Sequence, residues 1–134
     1  MQSTEEWRRQ AENKKNAAAE LRDKRRLCRE CYHLTGVAIE FAMKAVIMKN
    51  ERFNQWPSKA ARPDLYVHNL RTLFNALKVN HNGLPIQLRA NLKTVLNWSR
   101  GAEYADGKMP RKELVQFHNA AFGPDGVYEW LKTL

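Results

Sequence analysis

HLTGVAIEFAMKAVIMKN, residues 33–50, is the longest apolar block of the chain. Leu34, Val37, Ala38, Phe41, Ala45 and Met48 recur at steps of three and four, the period of a buried helix face. Ile39, Ala42, Val46 and Ile47 widen that stripe until little of the helix is left for water. A helix apolar on most sides belongs at the centre of a domain or in a membrane. A membrane span needs about 20 predominantly apolar residues, and Glu40 and Lys44 interrupt this block. The expectation is therefore the central helix of a cytoplasmic domain with no membrane partner. The two charges are four apart with the glutamate N-terminal, so they share one face. They read as a solvated ion pair on the single wet edge of a core helix.

Working outward, the rest of the chain reads as helices of the same kind. Ser3 with Glu6 forms a capping box, and Glu5 and Glu6 occupy a first turn where the helix dipole favours acids. Trp7, Ala11, Ala18 and Leu21 then mark an apolar stripe that breaks near residues 23–26. The central helix is expected over about residues 26–50. From 51 to 67 the periodicity stops, and Pro57 and Pro63 bias Trp56 and Arg62 away from helix. A third helix is expected from about His68, with Leu70, Leu73, Phe74 and Leu77 at core spacing. His81-Asn82-Gly83 reads as a turn. Pro85 suits the first turn of a fourth helix carrying Leu88, Leu92, Val95 and Leu96 and ending near Trp98. Residues 99–109 read as a loop. Pro110 opens a helix with Leu114, Phe117 and Ala121, Gly123-Pro124 breaks it, and Val127, Trp130 and Leu131 anchor a last segment. The fold class is all-α, an up-and-down bundle of four to five helices in a single domain covering residues 1–134. A chain of this length buries enough surface to need no disulfide, metal or cofactor.

Charge narrows the partners. The chain carries 23 Lys and Arg against 14 Asp and Glu, a net charge of +9. Residues 41–100 hold ten of those cations against only Glu51 and Asp64, whereas the first helix is charge-mixed. A concentrated basic middle points to an anionic partner such as nucleic acid, a nucleotide or an acidic protein, or it simply keeps a small protein soluble. The connection 51–67 is longer than most loops. It interleaves Arg52, Lys59 and Arg62 with Phe53, Trp56 and Tyr66, and cations among aromatics hold phosphates and stack on bases. Trp56 serves equally to tuck the loop onto the domain. Cys28 and Cys31 have the spacing of half a zinc site. The expectation is two small buried thiols, reduced and without metal.

The chain also resembles a known family. The carrying residues are Trp7 and the alanine-rich first helix, Ala38-x-Glu40-x-x-x-Lys44-Ala45, a proline-containing loop, His68-x-Leu70-x-x-Leu73, and a later helix ending in Trp98 before Tyr104. This pattern is similar to the HEPN family of small helical bundles, and it spans most of the chain. Glu103 stands before Tyr104 where family members commonly carry an arginine. The resemblance implies a bundle that often pairs as a homodimer, and either RNA cleavage or non-catalytic binding. His68 and Tyr104 from this pattern join the loop residues Arg52, Trp56, Lys59 and Arg62 as binding candidates, and the resemblance admits a cognate nucleotidyltransferase as a protein partner.

Catalytic members of that family carry an Arg and, a few residues on, a His on a late helix. Arg26 with His33, Arg62 with His68, and Arg111 with His118 all approach this spacing, and only the last pair falls on a late helix. Seven positions are two helical turns, so Arg111 and His118 share a face. The pair has the chemistry for a metal-independent ribonuclease of toxin type, with His118 as acid or base on a ribose hydroxyl and Arg111 on the phosphate. Three functions follow from this reading. One is non-catalytic binding of RNA, a nucleotide or an acidic partner through the basic surface. The second is RNA cleavage by Arg111 and His118, and the third is a structural interaction module.

Overall fold

The computed structural model describes residues 3–98 and 109–134. It is an all-α bundle. Its helices are α1 (Thr4–Leu21), α2 (Cys28–Glu51), α3 (Leu70–Ala76), α4 (Ile86–Leu96), α5 (Arg111–Phe122) and α6 (Val127–Leu131), with short 3-10 turns at Arg25–Leu27, Pro63–Leu65 and His81–Gly83. The helix ends follow from local chemistry. Ser3 caps α1, its hydroxyl accepting from the Glu6 amide at 3.1 Å. The third helix starts at Leu70 rather than His68, because the Asn69 side chain accepts from the amides of Arg71 and Thr72 and so sets the cap there. Helix α2 ends at Arg52, which takes the left-handed conformation, φ 57°, and returns its amide to Met48 and Lys49.

Helix α2 is the axis of the fold, packed by α1, α3, α5 and α6. The short link from α1 makes the two long helices an antiparallel hairpin. The run Arg25–Glu51 is long and apolar enough to cross a membrane by composition, and 78% of its most apolar window is buried inside the bundle. Ile39, Met43 and Ile47 are buried completely in one cluster with Leu65, Leu70, Leu73, Leu92, Val95 and Leu131, and Met48 is buried in another with Trp7 and Ala45. Phe41, part of the core stripe by spacing, lies at the edge instead. It is half-buried and meets Trp7 edge-on at 5.2 Å. Cys28 and Cys31 are free, buried thiols beside Ala18, Met109 and Leu114. Cys31 donates to the Ala18 carbonyl, and burial pushes its thiol above the ordinary range.

Two features of α2 are set by packing across the bundle, and the first departs from the sequence reading. Glu40 and Lys44 are not a solvated pair, being 1% and 7% exposed. A wet edge is missing there because Trp7 from α1 and Trp56 from the following loop close over it. The second is Gly36, buried under the indole of Trp98. The small residue lets the Trp98 indole, just past the end of α4, lie directly on α2.

Candidate functional site

The 52–69 connection is folded onto the bundle, and the fold decides which of its cations are available. Leu65 is fully buried, Trp56 meets Trp7 at 5.3 Å, and the Tyr66 hydroxyl donates to the Pro57 carbonyl at 2.6 Å. Arg62 is the internal staple. It reaches Glu51 at 3.0 Å and grips both oxygens of Asp64 at 2.9 Å. The guanidinium holds the exposed Asp64 carboxyl below its usual range. Arg62 therefore spends its fork on the loop itself, while Arg52 and Lys59 remain exposed.

Behind this loop sits a polar cluster that reading in one dimension did not assemble. The Lys44 ammonium lies 3.2 Å from Glu40, and 5.1 and 5.5 Å above the rings of Trp7 and Trp56. His68 Nδ1 approaches both oxygens of the same Glu40 at 3.3 Å, with its side chain 57% exposed. Glu40 thus joins α2 to the loop, and the aromatic faces supply the rest of the cation's environment. His68 and Trp56, two of the binding candidates, are committed to this cluster.

Arg111 and His118 do share a face of α5, and both are bound to the end of α1. Arg111 donates to the Arg22 carbonyl and lies 3.3 Å from Asp23. His118 is 7% exposed. Its Nδ1 accepts from the Arg22 guanidinium at 3.0 Å, which leaves the proton on Nε2, a buried atom with no partner among the described residues. Phe122 covers the ring edge-on at 5.0 Å. Burial first, then the Arg22 charge, pushes the imidazole down to about 4, so the ring is neutral near neutral pH.

That shift has a consequence for stability. On acidification the unfolded chain takes up this proton near the ordinary value of 6.5, whereas the folded chain refuses it until about 4. The contribution is complete above that window and is lost as pH falls through it, by on the order of 2 kcal/mol. Urea melts at about pH 7 and about pH 4.5 should show this loss in the wild type and a smaller one in His118→Gln. Equal losses in both proteins would show that the ring is not the titrating group.

The remaining cations of the middle segment complete the electrostatic picture. Lys44 is paired with Glu40, and the two acids of residues 41–98 are both held by Arg62. Lys49 donates to the Leu134 carbonyl and Arg71 to the Asn97 side chain. Among the described residues, Arg52, Lys59, Lys78, Arg89 and Lys93 have no carboxylate partner. Arg71, Arg89 and Lys93 face one groove between α3 and α4. The sequence signal for them was the four-residue step from Arg89 to Lys93, which stacks two like charges on one helix face. Tyr104 lies outside the described residues. Among those residues no group of three His, Cys, Asp or Glu side chains is placed to hold a metal ion. Comparison of the chain with family models, curated proteins and solved structures gives no match.

Proposed function

We propose that this protein is a HEPN-like, non-catalytic binding protein that recognises nucleic acid, in single-stranded form, through its basic middle segment. The observation that carries the reading is the use of the acids. Both carboxylates of residues 41–98 are spent on Arg62, so Arg52, Lys59, Arg71, Lys78 and Lys93 are exposed without an internal counter-charge. Leaving them so costs the folded chain self-repulsion, which an anionic ligand relieves. The order of Trp7, Ala38-x-Glu40-x-x-x-Lys44-Ala45, His68-x-Leu70 and Trp98 supports the family part of the reading. The buried, Arg22-bound His118 supports binding over cleavage, because a general acid or base must reach the proton it moves.

The test is incubation of the wild type and His118→Ala with a mixed pool of single-stranded RNA at low salt, followed by sizing of the RNA and a gel-shift. The expected result is a shifted, intact pool with both proteins. Cleavage by the wild type that His118→Ala abolishes would replace this reading with the ribonuclease of Arg111 and His118.

A further inference from the structure

The α3–α4 groove has a composition that the loop does not. It is a cavity of about 700 Å³ lined by Arg71, Phe74, His81, Ile86, Arg89 and Lys93, with no carboxylate among its lining residues. A volume of this size is within the usual range for small-ligand sites. Its cations are arranged rather than scattered. Arg71 is steadied by Asn97 at 2.6 Å, and Arg89 and Lys93 stand one helical turn apart on α4. The Arg89 Nε is a buried donor with no partner among the described residues. The apolar part is equally specific. Ile86 is 77% exposed at the groove's edge, and the Phe74 ring sits edge-on to His81 at 6.2 Å.

We infer that this groove is a nucleotide subsite. Arg71, Arg89 and Lys93 take the phosphate, and the exposed Ile86 with the His81 ring, backed by the buried Phe74, takes the base. Guanidinium forks match phosphate oxygens with two hydrogen bonds each, and an apolar shelf beside them favours a flat ring over a bare anion. The inference rests on the nucleic-acid reading above and names where on the basic surface the strand is gripped. The same phosphate-plus-base chemistry is offered by a free mononucleotide, so the two sources are separated by experiment.

The experiment is fluorescence anisotropy of a labelled oligouridine RNA over a range of salt. It uses the wild type, Arg71→Ala/Arg89→Ala/Lys93→Ala, the exposed single change Lys93→Glu, Ile86→Ser and the loop variant Arg52→Ala/Lys59→Ala. Each lost phosphate contact flattens the log–log salt slope by about 0.7, so the groove triple should lower it by about 2 and Lys93→Glu by at least about 0.7. Ile86→Ser should weaken RNA binding roughly threefold with the slope unchanged, since it carries no charge. Polyglutamate serves as the control polyanion. Displacement of the RNA by uridine monophosphate at millimolar concentration would mark a mononucleotide as sufficient, and no displacement would mark the strand as the ligand; either supports the subsite. A groove triple that binds like the wild type, while the loop variant loses the slope, would overturn the subsite and leave the nucleic-acid reading standing. Polyglutamate binding as tight as RNA binding, unaffected by Ile86→Ser, would also overturn it, because the groove would then read charge alone. Absence of any RNA binding by the wild type would remove the parent reading and the subsite with it.

Discussion

Glu40→Ala is expected to destabilise the protein by about 3–5 kcal/mol, because it strands a buried ammonium. Lys44 is 7% exposed, and its charged end is surrounded by Glu40 and the faces of Trp7 and Trp56. The two rings attract the cation by about 1–2 kcal/mol, which does not offset removal from water. The substitution also releases His68, so the 52–69 loop loses one of its ties to α2. Glu40→Met/Lys44→Met removes both charges and keeps apolar volume. It should lie within about 1.5 kcal/mol of the wild type, since desolvation of the pair disappears with it. Denaturant melts of the three proteins check this. A loss below about 1 kcal/mol in Glu40→Ala is the value for a solvated pair and would contradict the burial.

Gly36→Ala should be nearly as damaging, and its sign is the informative part. In an unobstructed helix interior, alanine is better than glycine by about 1 kcal/mol. Here a Cβ at residue 36 would fall 1.9 Å from Trp98 Cε2 and 2.2 Å from Cδ2 and Nε1. The indole is 3% exposed, with the Tyr32 and His33 rings beside it at 6.5 and 6.4 Å. Forcing a methyl into a filled core costs about 1–3 kcal/mol and occasionally more, and a rigid ring puts this site at the upper end, about 3 kcal/mol. Trp98→Leu removes the obstacle. In its background Gly36→Ala should cost far less, and the double-mutant cycle should show a coupling of about 2 kcal/mol. Stabilisation by Gly36→Ala in the wild type would mean that Trp98 does not lie on α2.

These two sites show what a one-dimensional reading reaches. The helices were legible because their apolar residues repeat at three and four, and because Ser3, Pro85 and Pro110 mark helix starts locally. Pairing of Glu40 with Lys44 was equally local. Their burial was not, because it depends on Trp7, more than thirty residues away in the chain, and on a loop that folds back to bring Trp56 over them. The same holds for Gly36, whose role is set by Trp98. Start positions showed a smaller version of this effect. Core spacing alone lets α3 begin at about His68, whereas the Asn69 cap starts the helix at Leu70 and frees His68 for Glu40.

Of the candidate site residues, the chain folds Arg62, Trp56 and His68 into the structure of the loop and leaves Arg52 and Lys59 exposed. Net charge over residues 41–100 was visible in the sequence, but its distribution was not. The two acids could have neutralised any of ten cations, and among the described residues Arg62 pairs with both Glu51 and Asp64. Arg111 and His118 share the face that their spacing requires, yet that face lies against α1. Helical spacing determines which side chains are neighbours, and packing determines whether anything else can approach them.

The proposed surface for single-stranded nucleic acid, formed by the unneutralised cations of the middle segment, is tested by the salt dependence of RNA binding to the wild-type protein. Contacts to three phosphates predict a linear fall of log Kobs with log salt, with a slope of about −2, and steeper if Arg52 and Lys59 also engage. A slope near zero, or no binding at low salt, would contradict it.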